Sequence, residues 1–265
     1  MVTPILMLGA GRMGGAMLAG WRKSQAFTPA ELMIRDPHPG EAALAAAGDG
    51  AVLNAPDTDL SKARTVVLAV KPQIWREAAA EISPLLAPDA VVVSIVVGVA
   101  AADISKAFGG RRVARVMPTT AAAICQGTAS LFSGDAEALG RARALFEPLG
   151  AVVDLADEGL MHAATGVSGS APAYLYAFVE ALEAAGVAAG LTAAESARLA
   201  RTTITGAAAL LFQSGEEPAE LRRQVTSPGG TTQAALEVLM AEEGLPALLR
   251  EAVAACVRRA RELAV

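Results

Sequence analysis

Short apolar runs alternate with longer amphipathic stretches through the first half of the chain, and the alternation ends near Asp157. Ile5–Leu8 is a compact apolar run, and a helical pattern from Met13 to Lys23 follows it. Further β-rich runs lie at Glu31–Asp36, Ala51–Leu53, Thr65–Val70, Val91–Val97 and Arg112–Met117, with two later strands at Gly127–Phe132 and Ala151–Asp154. Strands that are apolar on both faces and separated by helices predict a mostly parallel sheet with helices on both sides.

Beyond Asp157 the β-branched runs stop, and Ala, Leu and Glu recur at helical spacing. The spacing predicts helices over Asp157–Gly186, Ala193–Ser214, Glu217–Gln224, Thr231–Ala241 and Pro246–Leu263, the second opened by a Thr192–Glu195 capping box. The expected architecture is α/β: a sheet domain over 1–156 and an all-helical domain over 157–265. The helical half is rich in small residues and has few large side chains for a core of its own. It is expected to pack against a second subunit.

Composition narrows the function. Hydrophobic residues make up 53% of the 265 and charged residues 18%, so a full core is available and disorder is not expected. Aromatics are only 4%, which leaves Ala, Val and Leu to build that core. The formal charge of −5 does not suit a nucleic-acid partner, which needs a basic face. The longest apolar stretch, Ala90–Ala102, is too short to span a bilayer as a helix, and the N-terminus carries no secretory pattern. No membrane association and a cytoplasmic location are expected. Cys125, Cys256, His38 and His162 have no zinc-ligand spacing, so no metal is expected.

Chemistry concentrates at a few motifs. Gly9-Ala10-Gly11-Arg12-Met13-Gly14 follows a predicted strand and opens a helix. Its first glycine permits a tight turn, its second lets a pyrophosphate approach the backbone, and its third lets helix pack on sheet. The helix start supplies N–H groups and a positive dipole end to phosphates. This is a Rossmann-type dinucleotide site. Asp36 ends the second strand, where an acid bonds ribose hydroxyls and favours NADH, whereas Arg35 beside it could attract the 2′-phosphate of NADPH. Asn54 follows the third strand as a polar contact on the adenosine side. Lys71, in Ala69-Val70-Lys71-Pro72, and Val97-Gly98 end strands at the carboxyl edge, where ligands bind in open α/β sheets.

In the helical half, Gln224-Val225-Thr226-Ser227-Pro228-Gly229-Gly230-Thr231-Thr232 places two glycines and two threonines at a helix start. Backbone N–H groups there form a concavity suited to a carboxylate, although an ordinary cap and turn would have the same composition. Ser168-Gly169-Ser170-Ala171-Pro172-Ala173-Tyr174 reads as a close helix contact with a proline kink.

Taken in order, the Gly9–Gly14 fingerprint, Ala69–Pro72, Arg115-Val116-Met117-Pro118, Ser168–Tyr174 and Val225–Thr232, continued by Ala235, Leu236 and Leu239, resemble the pyrroline-5-carboxylate reductase family over nearly the whole chain. The resemblance implies reduction of 1-pyrroline-5-carboxylate to L-proline by NADPH or NADH. It implies a homodimer through the C-terminal helices, often assembled into a ring of dimers. By the same resemblance, the Gly9–Gly14 loop holds the pyrophosphate, and Val70, Lys71 and Val97 line the nicotinamide. Gln224, where the family often has Asn, touches the cofactor. Backbone N–H groups at Gly230, Thr231 and Thr232 hold the substrate carboxylate, with the Thr232 and Ser227 hydroxyls near the ring nitrogen and Glu158 approaching the substrate. Three departures from the family pattern stand out: Thr119-Thr120-Ala121 stands for Asn-Thr-Pro, Ala171 for Gly, and His162 for an acid. The alternatives are a reductase of another cyclic imine, a β-hydroxyacid dehydrogenase, and a non-catalytic cofactor-binding oligomer. The dehydrogenase would need a lysine or similar base within Asp157–Tyr174, and none is there.

Overall fold

The computed structural model describes residues 1–263. The chain divides into two compact units. The first is Met1–Gly169 together with the final segment from Cys256, and the second is Ser170–Ala255. The change of sequence character near Asp157 and the change of packing at Gly169 thus lie at different places. The short helical segments between them still belong to the sheet unit.

Eight strands form one sheet in the order β3-β2-β1-β4-β5-β6-β7-β8. They are β1 Ile5–Leu8, β2 Leu32–Arg35, β3 Val52–Leu53, β4 Thr65–Leu68, β5 Val91–Ser94, β6 Val113–Pro118, β7 Gly127–Phe132 and β8 Gly150–Asp154. The pairs from β3 to β6 are parallel, β6 and β7 are antiparallel, and β7 and β8 are parallel again.

The continuous apolar runs reflect burial of both faces. Ile5 and Met7 point into one core with Met17, Trp21, Val67, Val93 and Phe146. Leu6 and Leu8 point into the other with Leu60, Val66, Leu68, Ile104 and Phe108. Side chains alternate along a strand, so each strand feeds both layers. The helices covering the sheet are α1 Arg12–Ser24, α2 Glu41–Gly48, the single turn α3 Asp57–Leu60, α4 Trp75–Ile82, α5 Ala101–Ala107 and α6 Ala136–Phe146.

Trp21 of α1 is the largest anchor of the first core. It is 1% exposed, its indole N–H donates to Leu145 O at 2.7 Å, and it meets Phe27 edge-on at 5.3 Å between ring centres. Trp21→Ala is expected to lower unfolding free energy by about 3–5 kcal/mol through the cavity left behind. Urea unfolding at fixed protein concentration measures this, and a loss below about 1 kcal/mol would mean the core collapses around the site.

The reversal at β7 comes from a tight connection. β6 ends in Pro118, a short 3-10 turn runs over Thr120–Ile124, and Cys125 takes a left-handed conformation with φ 60°. Thr119 closes the hairpin, donating its N–H to Thr128 O at 3.0 Å and accepting Thr128 N–H on Oγ1 at 2.9 Å.

The predicted single helix over Asp157–Gly186 is interrupted. A 3-10 turn at Glu158–Leu160 leads into α7 Met161–Ala164, a π-helical turn Thr165–Gly169, and then α8 Ala171–Ala188. Pro172 lies in the first turn of α8, where its missing N–H costs nothing, so it opens a helix rather than kinking one. A side chain on Gly169 would sit 3.3 Å from Met117 Sδ, so the small residues let the π-turn lie against β6.

The second unit holds α8, then α9 Ala193–Ser214, α10 Pro218–Gln224, α11 Thr231–Leu239 and the first part of α12 Leu245–Glu262. The capping box at α9 is formed: Thr192 Oγ1 accepts Glu195 N–H at 3.3 Å, and Glu195 accepts Thr192 N–H at 2.9 Å. Ser196 and Ala200 are the only buried residues of this unit. Apolar side chains stand open on it, with Tyr176 at 63%, Leu210 at 56%, Phe212 at 89% and Val238 at 74% exposure.

Candidate functional site

The register of the central strands aligns Leu8, Leu68 and Ser94 across the sheet. The loops that follow them therefore start side by side at the carboxyl edge. The first is the glycine loop. Gly9 has φ 89°, its N–H donates to Arg35 O at 2.8 Å, and a Cβ there would lie 2.8 Å from Ala69 O. A Cβ on Gly14 would strike Gly9 O. These two glycines are demanded by the fold itself. Gly11 is different: its φ is −65°, and nothing lies within 4 Å of a Cβ built on it. It caps α1 with no side-chain acceptor and no acidic residue in the first turn. Open space before uncapped N–H groups fits a pyrophosphate. Ala10, Arg12 and Met13 complete this rim.

The end of β2 is tied to the same loop. Asp36 Oδ2 accepts Ala10 N–H at 2.6 Å, and Oδ1 accepts His38 N–H at 2.7 Å. Asn54, in a left-handed conformation at φ 50°, accepts Asp36 N–H on Oδ1 at 3.1 Å and donates its own N–H to Ile34 O at 2.7 Å. Asp36 and Asn54 are thus brought together beside the loop. Arg35 turns elsewhere: it pairs with Asp57, and its Nη1 lies 3.9 Å from Glu81 Oε1.

The two later strands that end at this carboxyl edge, β4 and β5, are shorter than predicted. β4 stops at Leu68, leaving Val70 half-buried and Lys71 exposed in the loop. β5 stops at Ser94, whose Oγ accepts Val96 N–H at 3.2 Å, so Val97 sits in a half-buried loop and Gly98 at φ 79°.

Glu158 has committed partners. Its Oε1 accepts from Arg115 Nη1 at 2.9 Å and from Ala101 N–H at 2.7 Å. Arg115 is 5% exposed on β6, a role the sequence reading missed. The signal was an arginine inside an otherwise apolar buried run. The pair ties the segment after β8 to the loop after β5. It borders a cleft of about 260 Å3 that also takes in Trp75, Asp103 and His162. Burial, then the Arg115 and Arg261 charges, push the His162 pKa below its usual value, against an opposing pull from Glu158.

In the second unit, α10 and α11 are joined by the Ser-Pro-Gly-Gly turn. Gly229 has φ 69° and donates its N–H to Gln233 Oε1 at 2.7 Å, while Gly230 N–H donates to Ser227 O at 3.0 Å. Gly230 caps α11 with no side-chain acceptor, and the first turn carries no acid. A side chain at Gly230 would strike Ser227 Oγ. The turn brings Ser227, Gly230, Thr231 and Thr232 together, with helix-start N–H groups left for an anion. Gln224 is held on its own side of the turn, donating from Nε2 to Glu216 at 2.6 Å and to Glu220 at 3.3 Å.

Two family models match the chain. One, described as pyrroline-5-carboxylate reductase dimerisation, covers residues 158–263, and one described as NADP oxidoreductase coenzyme F420-dependent covers 4–98. A pyrroline-5-carboxylate reductase of Pseudomonas aeruginosa is 37% identical, over 100% of this chain and 98% of its own. A solved pyrroline-5-carboxylate reductase from Coxiella burnetii is 29% identical, covers 100% of both chains and superposes with a TM-score of 0.91. A pyrroline carboxylate reductase of Plasmodium falciparum, solved with NADP bound, shares the fold at a TM-score of 0.84, 24% identity and 98% of each chain. A sheet unit with an open dinucleotide loop, a helical unit with its apolar face exposed, and relatives matched from end to end lead to one conclusion: the chain belongs to the pyrroline-5-carboxylate reductase family.

Proposed function

We propose that the chain reduces 1-pyrroline-5-carboxylate to L-proline, with NADH or NADPH as hydride donor, in proline biosynthesis. The observation that carries this reading is the end-to-end relationship to reductases of that name, at 37% identity in the Pseudomonas aeruginosa case. The nicotinamide, when bound, supplies the hydride that the imine carbon accepts. The C=N bond becomes a C–N bond, with hydride on carbon and a proton on nitrogen. This asks the protein for alignment more than for a strong base.

In the sheet unit, Gly9, Ala10, Gly11, Arg12, Met13 and Gly14 hold the pyrophosphate. Asp36 and Asn54 border the adenosine ribose, and Val70, Lys71 and Val97 line the nicotinamide. Glu158 serves the substrate end by fixing the loop that starts at Val97, through its bond to Ala101 N–H. In the helical unit, Ser170–Ala255, the N–H groups of Thr231 and Thr232 hold the substrate carboxylate beside Gly230, whose own N–H is given to Ser227 O at 3.0 Å. The Thr232 and Ser227 hydroxyls serve the ring nitrogen, and Gln224 meets the cofactor. The exposed apolar face of the helical unit closes a homodimer, and dimers associate further into a ring. Among the described residues no helix is long and apolar enough to cross a membrane, and we place the enzyme in the cytoplasm.

Loss of nicotinamide absorbance with pyrroline-5-carboxylate, with proline identified as product, tests the reaction. Absence of turnover in protein that still binds the cofactor would move the assignment to another cyclic imine. Thr232→Ala is expected to lower kcat by on the order of 10²-fold with little change in KM, the usual scale of a lost proton-relay group, while Thr232→Ser keeps most of it. Full turnover in the alanine variant would remove the hydroxyl from the mechanism.

A further inference from the structure

The cleft beside the loop that follows β5 holds a cluster of charges, and one member of it changes charge near neutral pH. Glu158 grips that loop, accepting Ala101 N–H at 2.7 Å and Arg115 Nη1 at 2.9 Å on the same oxygen. Arg115 is 5% exposed and pairs in register with Ser94, the last residue of β5, so it is a fixed post at the base of the loop. A guanidinium so buried depends on its acid, because an unpaired buried charge is costly. His162 lies one turn beyond Glu158, in α7, and borders the same cleft. The two residues belong to one short segment, a 3-10 turn running into a single α-turn, so a push on one carries the other.

Arg115 of β6 and Arg261 of α12 repel a proton on His162, and Glu158 of its own segment favours one. Arg76 of α4 and Asp103 of α5 line the cleft with opposite charges. Asp157 is spent on Gly159 N–H at 2.7 Å, and β7 and the π-helical turn, which pack on α7, carry no ionisable side chain. While His162 is neutral, the segment presents Arg115 with the negative charge of Glu158. A proton on His162 cancels that charge and adds a cation facing Arg115 and Arg261. Burial, then the two arginines, keep the imidazole below its usual pKa. The proton is therefore taken up only as pH falls under about 6.5, and it then costs the folded state. An acid at this position, as in the family pattern, would stay ionised through that range. We propose that His162 is a positioning residue acting through Glu158: neutral, it leaves the loop after β5 fixed, and protonated, it releases Ala101. Weaker cofactor binding follows, a consequence that rests on Val97 lining the nicotinamide, as proposed above, and not on the identity of the imine.

The test is a fluorescence titration of the full-length protein with NADH at about pH 7.5 and about pH 5.5, on either side of the usual histidine value. The imine is left out because its nitrogen also takes up protons, and NADPH because its 2′-phosphate does. The unaltered protein is expected to bind NADH at least about fivefold more weakly at the lower pH, the low end of couplings between two sites. Hydrogen exchange at Ala101 N–H, corrected for the intrinsic effect of pH, is expected to speed up with it. His162→Asn keeps a polar group that does not titrate, and both changes should vanish in it. His162→Gln serves as the second variant if the first disturbs α7. Glu158→Gln should flatten the profile too, since the proton acts through that carboxylate. A pH dependence that survives in both histidine variants would overturn the proposal, and so would unchanged Ala101 exchange in the unaltered protein. Faster Ala101 exchange with NADH binding unaffected would keep the release of the loop and sink the placing of the nicotinamide at Val97.

Discussion

Gly11→Val is expected to abolish cofactor binding at ordinary concentrations while leaving the fold intact. The two halves of that expectation have separate causes. A Cβ at Gly11 meets nothing within 4 Å, and its φ of −65° is open to any residue, so the folded chain has room for a Cβ there. The same room is where a pyrophosphate must come to reach the uncapped N–H groups of α1. A hydrogen bond to a charged group contributes about 1.5–3 kcal/mol. Denying two of them weakens binding by on the order of 100-fold or more. Gly14→Ala is the contrast, because its methyl would strike Gly9 O and must disturb the loop itself. Calorimetric titration with NADH and a thermal melt of each variant separate the cases. A Gly11→Val protein that binds NADH normally would show that the dinucleotide does not lie against this loop.

The second large effect is on assembly. Leu210 is 56% exposed and Phe212 89% exposed on α9, in a unit whose only buried residues are Ser196 and Ala200. In a lone chain, aspartate at both positions would cost little. In a homodimer each substitution acts twice, and burying a Leu or Phe side chain stabilises by about 1.5–3 kcal/mol. The Leu210→Asp, Phe212→Asp protein is therefore expected to lose roughly 6–12 kcal/mol of association per dimer. A nanomolar dimer has about 12 kcal/mol in all, so the variant should sediment as a monomer at micromolar concentration. The helical unit, left without a covered face, should melt at a lower temperature. A variant that sediments like the parent would place the contact between subunits elsewhere.

The sheet was readable because its strands are buried on both faces. Ile5–Leu8 carries no polar residue and Val91–Ser94 none before Ser94, and turn residues bound both runs. The bounds of α9 were readable for a local reason too: Thr192 and Glu195 make the capping box, and Gly215 ends the helix at φ 66°. What escaped depends on contacts distant in sequence. Nothing in Thr165–Gly169 forbids an α-helix strongly enough to announce a π-turn, which follows from Gly169 lying against Met117. The early stops of β4 and β5 also escaped, since Val70 and Val97 keep the strand composition after the ladder has ended. The pairing of Arg115 with Glu158 joins residues 43 apart, and neither announces the other. For the candidate site, the glycines and acids were visible as residue types, but the direction of a side chain was not. Arg35 and Asp36 are neighbours in sequence, and only their partners show that they face different company.

The return of α12 to the sheet unit bears on how the molecule is made. Ala260 is 5% exposed, and the segment from Cys256 packs with residues that ended at Gly169. Synthesis runs from the N-terminus, so the eight strands leave the ribosome well before the piece that completes their unit. Until it arrives, both cores of the sheet can form, since their residues all precede Glu158, but the surface that Ala260 packs on stays open. The last turns of α12 are thus the latest part of their unit to be made, and they add to a sheet whose cores do not need them.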